Sequence, residues 1–144
     1  MPKIKEFDKK KHLLDYEKMD TLHLEFLDIY NSVNINSNES IKLKSTELFI
    51  HTKRHFLEEE KLMDRYNYPR SMEHKNEHNK VLAELQFFID KSHSLFGMNI
   101  LKSYYLEKLP YWFDYHLLSM DSDLSAYLKN ISFKNEVNIM REVN

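Results

Sequence analysis

The chain has 144 residues, a formal net charge of −2 and no cysteine, a length that suits one domain with a real core. The near-neutral charge gives no electrostatic ground for nucleic acid or an anionic membrane as partner. The missing cysteine excludes disulfides, thiolate metal sites and cysteine nucleophiles, so any metal must rest on nitrogen and oxygen donors.

One glycine and three prolines leave long uninterrupted segments, which predicts an all-α chain. The charged start, MPKIKEFDKKKH, lacks the apolar run of a signal peptide, and no stretch reaches membrane length. A cytoplasmic protein is expected. Residues 1–144 form one domain, with an N-terminal arm at 1–11, a bundle core at about 12–128 and a C-terminal tail at 129–144.

The arm has no clear periodicity. From Tyr16 the apolar residues recur in steps of three and four, as Tyr16, Met19, His23, Phe26, Tyr30 and Val33, the seam of a bundle helix with a histidine in its middle. Residues 31–40 (NSVNINSNES) are a polar loop, with Asn38 or Ser40 able to cap the next helix. That helix is expected over 41–66. Its seam is Ser45, Leu48, Thr52, His55, Glu59, Leu62 and Tyr66, flanked by Phe49, Phe56 and Met63. Glu58 and Glu60 point away from it as surface charges. His51, one turn before His55 and about 40° off it, is expected at the surface or behind the seam.

Asn67-Tyr68-Pro69 breaks the helix, since proline disfavours helical geometry at the residue before it. Ser71 is the expected cap of a third helix with the seam His74, His78, Val81, Leu85 and Phe88, and Leu82 and Ile89 beside it. Residues 91–99, holding the sole glycine Gly97, read as a loop. The fourth seam is Leu101 or Tyr105, then Leu109, Trp112, His116 and Met120. Pro110 within it predicts a kink near Leu106 or a fresh helix start. Asp121 follows His116 by five residues, about 140° away on an ideal helix. The two serve one site only if they reach different sides of it or the helix is locally widened. Residues 123–128 continue the helix briefly, and the tail is expected to pack across one end of the bundle.

Four seams and three breaks predict an antiparallel up-down-up-down four-helix bundle. Each seam carries histidine: His23; His55; His74 and His78; His116. These are five of the eight histidines, joined by Glu59 and Asp121. Buried imidazoles and carboxylates without partners are costly, so several at one depth of a core ask for metal. Five nitrogens and two carboxylates exceed the needs of one four-coordinate ion and suit two ions bridged by carboxylates, with a position open to a small ligand. Such donors accept Fe, Zn, Mn or Cu. The His-x-x-x-Glu and His-x-x-x-His pairs differ from the Glu-x-x-His of ferritin-like proteins.

The segments Met19-Asp20-Thr21-Leu22-His23 with Phe26 and Asn31, His55-Phe56-Leu57-Glu58-Glu59 with Met63, Tyr68-Pro69, His74-Lys75-Asn76-Glu77-His78, and Trp112-Phe113-Asp114-Tyr115-His116 with Asp121 together resemble the single-domain bacterial hemerythrins. The resemblance implies a non-haem di-iron centre, oxo- or hydroxo-bridged, that binds O2 reversibly for storage, delivery or transport. By that analogy His74, His78 and His116 bind one iron, His23 and His55 the other, and Glu59 and Asp121 bridge them. Phe56, Trp112, Phe113 and Leu117 stand at positions resembling the apolar wall of the O2 pocket. A di-iron enzyme reducing peroxide or nitric oxide, or an O2 or redox sensor, is the competing expectation. An enzyme would need a polar group aimed at the open position, for which only His51 and Tyr115 offer themselves.

Overall fold

The computed structural model describes residues 5–143; residues 1–4 of the expected arm and Asn144 of the expected tail lie outside the described residues. Among the described residues there is no strand, and four long helical runs make a bundle. A short helix α1 (Lys9–His12) precedes α2 (Glu17–Asn31), α3 (Asn38–Arg65) and α4 (Ser71–Lys91). The last run is continuous from residue 95 to 143. It joins α5 (Leu95–Ser103), α6 (Leu109–His116) and α7 (Ser122–Val143) through two π-helical turns, Tyr104–Lys108 and Leu117–Asp121. Among the described residues no helix is long and apolar enough to cross a membrane.

Local chemistry places the helix ends, with some corrections to the reading above. The cap of α3 is Ser37, whose hydroxyl accepts from the Ser40 N–H at 3.1 Å, while the Ser40 hydroxyl accepts from Asn34. The helix therefore starts three residues earlier than expected. Arg70 precedes α4 without a side-chain bond, and Ser71 is its first residue rather than its cap. Asn67 ends the α3 turn with φ of 52°, a left-handed conformation that asparagine tolerates. The expected loop at 91–99 is shorter, because Ser94 caps α5 by accepting from the Gly97 N–H. Gly97 is required there: a Cβ would lie 1.7 Å from the Lys91 carbonyl oxygen.

The core is two apolar clusters separated by a polar layer. One gathers Phe26, Tyr30, Leu48, Leu85, Leu101, Tyr105, Phe113 and Leu117. The other gathers Met19, Met63, Tyr68, Leu124 and Leu128. Between them along the helices lie His23, His55, Glu59, His74, His78, His116 and Asp121, all buried.

Pro110 shapes the fourth run without breaking it. The Leu109 N–H reaches back five residues to the Tyr104 carbonyl, and continuing that register would pair residue 110 with the Tyr105 carbonyl. Proline has no N–H to give. Instead the Tyr30 hydroxyl donates to the Tyr105 carbonyl at 2.9 Å, and the Tyr105 hydroxyl donates to the Tyr30 carbonyl at 2.6 Å, with the two rings stacked 4.6 Å apart. The π turns also re-aim the seam. Leu109, Phe113, Leu117, Asp121 and Leu124 are buried, whereas the expected Trp112 and Met120 are half-buried.

The arm and the tail behave differently. The arm is pinned: Lys5 and Asn31 exchange two hydrogen bonds of 2.8 Å, and the Lys5 ammonium bonds Asp114 at 2.6 Å. His12 is buried, takes the Asp8 N–H on Nδ1 and pairs Nε2 with Asp114 at 2.7 Å. The tail does not fold over the bundle. With no glycine or proline after Pro110, α7 simply continues, leaving Phe133, Ile139 and Met140 exposed.

Tyr30→Phe should destabilise the fold by about 1–3 kcal/mol, the cost of a buried carbonyl left unpaired. The loss should shrink in a Pro110→Ala background, where residue 110 regains an N–H. Urea melts of the double-mutant cycle check this, and purely additive effects would contradict it.

Candidate metal centre

The polar layer draws on every long helical run. His23 comes from α2, His55 and Glu59 from α3, His74 and His78 from α4, His116 from the end of α6 and Asp121 from the end of the second π turn. The α3 and α4 pairs need only the spacing of four that stacks two side chains on one face. His116 and Asp121 need the widened turn: the Ser122 N–H reaches five residues back to the Leu117 carbonyl, so a spacing of five brings both side chains inward.

All seven side chains meet. Asp121 Oδ1 lies 3.1 Å from Nε2 of both His74 and His116, and its Oδ2 lies 2.9 Å from His23 Nε2. Glu59 Oε2 lies 3.1 Å from His55 Nε2 and 3.7 Å from His78 Nε2, and its Oε1 is 3.8 Å from His74. Each carboxylate thus lies close to three histidines. Donor atoms of Glu59, His74, His78, His116 and Asp121 fall within 4.8 Å of one another, a buried cluster that could hold a metal ion.

The angles speak for an ion rather than a hydrogen-bond network. Despite these short separations, His55 Nε2, His78 Nε2, both Glu59 oxygens and Asp121 Oδ1 are buried without a hydrogen-bond partner. Nitrogens and oxygens bound at about 2.1 Å to one octahedral ion sit about 3 Å apart and aim at the ion, not at each other. His74 Nε2 and His116 Nε2 do share a hydrogen bond, at 3.3 Å. The donor set therefore fits a metal.

Burial sets the charge state of the metal-free layer. Burial and then the charge of His23 hold His55 well below the ordinary histidine range; burial and then His116 and His74 do the same to His78. Burial and then the neighbouring Asp121 push Glu59 well above the carboxylate range. Asp121 is itself opposed by burial, yet the His116 charge and the close approach of His116, His23 and His74 outweigh that and hold it well below. The two carboxyls are thus pushed in opposite directions.

Rings frame the layer. Phe56 stacks on His78 with centroids 3.6 Å apart, and Trp112 stacks on His116 at 4.9 Å. A small enclosed cavity of about 10 Å³ opens beside His23, His55 and His116. Trp112, Phe113 and Leu117 line it; Phe56 does not, being turned to His78.

Three residues escaped the sequence reading. Glu60, expected to face solvent, reaches His78 Nδ1 at 3.3 Å and so can fix the orientation of that ring. Its partner lies eighteen positions away, beyond any local pattern. Phe26 and Thr52 line the cavity, and the seam spacing that named them core residues was the available signal. Glu58 pairs with Lys18 and Lys61 at the surface, and His51 is half-buried, edge-on to His55. Tyr115 is exposed.

Comparison with protein-family models, curated proteins and solved structures finds no match.

The metal-free chain should be most stable near pH 6.5. His55 and His78, held low when folded, contribute stability that is complete above the ordinary 6.5 and lost on acidification. Glu59, held high, contributes stability complete below its ordinary 4.5 and lost as pH rises. Between those values the unfolded chain carries two extra histidine protons against one on folded Glu59, so stability rises with pH; above them the raised carboxyls act, with the opposite sign. Thermal midpoints across pH 4–9 check this, and a midpoint that climbs steadily to pH 9 would contradict it.

Proposed function

We propose that this chain is a non-haem di-iron protein that binds O2 reversibly, as the bacterial hemerythrins that its motifs resemble do. The observation that carries the reading is the pair of shared carboxylates: Asp121 touches His74 and His116 with one oxygen and His23 with the other, and Glu59 touches His55, His78 and His74. His74, His78 and His116 would hold one iron, His23 and His55 the second, with Glu59 and Asp121 common to both. When bound, such a pair supplies reversible two-electron exchange with O2.

The chain's own part is orientation and exclusion. Glu60 holds the His78 ring from behind, and Phe56 and Trp112 clamp the faces of His78 and His116. The side with two histidines has fewer protein donors, and the enclosed cavity borders it. Phe26, Trp112, Phe113 and Leu117 make that cavity apolar and small. Water and bulky reductants are kept from a bound ligand, which favours release of the ligand intact over its reduction. Imidazole and carboxylate ligands bind metal deprotonated, so uptake is coupled to proton release.

Anaerobic loading with Fe(II), an iron count per chain and visible spectra through cycles of O2 and argon test the proposal. Two irons and a charge-transfer band that disappears on each deoxygenation are expected. Irreversible oxidation would favour the enzyme alternative, and failure to take up iron would remove the di-iron reading. His55→Ala should retain one iron rather than two, and equal retention of both would contradict the division of donors. Glu60→Ala should weaken iron binding by about 10–100-fold, measured by competition with a chelator.

A further inference from the structure

Hydroxyls within a helix commonly bond to the carbonyl four residues back, and this chain follows that habit where it costs nothing. Ser45 bonds Ile41 at 2.6 Å, Thr46 bonds Lys42 at 3.0 Å and Ser119 bonds Tyr115 at 2.6 Å. Thr52 does not. It is 4% exposed, its Oγ1 is buried, and that oxygen has no hydrogen-bond partner. The residue sits on α3 one turn before His55, and it lines the enclosed cavity with His23, His55, Trp112 and Phe113.

A hydroxyl without a partner in an apolar wall is unfavourable. Valine has nearly the same shape and lacks that liability. The other polar groups around the cavity, His23, His55, His116 and Asp121, are turned to the metal once one is present. Thr52 then carries the one uncommitted hydroxyl of the wall, in a space of about 10 Å³, close to the room taken by one water-sized probe.

We infer that Thr52 is the specificity-determining hydrogen-bond donor of this cavity, its Oγ1–H donating to an acceptor atom of a small di- or triatomic ligand held beside His23 and His55. The inference rests on the metal reading of the preceding section and deepens it. Thr52 selects ligands that carry an acceptor, O2 and small inorganic anions among them, over apolar molecules of equal size. It also slows their departure. The hydroxyl forms no bond to iron, so its loss leaves the metal count unchanged.

Azide titration of the ferric-loaded protein, followed in the visible spectrum, tests this with Thr52→Val and Thr52→Ser. Thr52→Val should load two irons and bind azide about tenfold more weakly, the effect of one hydrogen bond to a charged ligand. Thr52→Ser should stay close to the parent protein. A second readout needs no metal: Thr52→Val should raise the thermal midpoint of the metal-free chain by about 2–4 °C, because a buried unpaired hydroxyl is removed. Unchanged azide affinity in a fully loaded Thr52→Val protein would overturn the role of Thr52 and leave the di-iron reading standing. A lowered midpoint in metal-free Thr52→Val would show that the hydroxyl has a partner, and would overturn it too. A parent chain that takes up no iron would overturn both.

Discussion

The cost of burying charge without water governs this molecule. Five imidazoles and two carboxylates occupy a layer across the bundle interior with almost no solvent contact, where each group in isolation would be strongly unfavourable. The chain lessens that cost in the metal-free state because burial favours the neutral forms of His55, His78 and Glu59. Hydrogen bonds satisfy the layer only in part. Several nitrogens and oxygens lie within 3.1–3.8 Å of one another yet point past each other. An apolar core of similar volume would be more stable, so the layer makes sense as a binding site kept ready.

The backbone is fitted to that layer. An ordinary α-helix would bring Met120 near the seam and turn Asp121 aside; the π turn over Leu117–Asp121 reverses this. The other π turn, over Tyr104–Lys108, lets Pro110 remain in a continuous helix, with Tyr30 meeting the carbonyl that proline cannot. Two stacked tyrosines in the apolar cluster therefore support the helix that delivers His116 and Asp121. From the other side, Lys5 and His12 tie the arm to Asp114, two positions before His116, and the His12 ring packs edge-on against Phe113 of the cavity wall.

Much of this was legible in the sequence because it depends on short-range periodicity. His55 with Glu59, and His74 with His78, share a helix face by spacing alone, and the helical class follows from the scarcity of glycine and proline. The meeting of His116 with Asp121 was readable only as a condition, that the helix be widened. Glu60 was misread because helical phase puts it outside α3, whereas its partner His78 arrives from α4. His12 carried no signal at all: its burial comes from the arm folding onto Asp114, a contact across 102 positions. The tail was misjudged because its apolar residues suggested packing, while the uninterrupted helical sequence carries them straight on into solvent.

Iron K-edge X-ray absorption of the loaded protein addresses the shared carboxylates most directly. Ions held in common by Glu59 and Asp121 must lie close together, so an iron–iron scattering path below about 4 Å is expected, alongside a shell of nitrogen and oxygen neighbours. A nitrogen and oxygen shell with no iron–iron path, at one iron per chain, would contradict the two-ion centre and leave a mononuclear site on His74, His78 and His116.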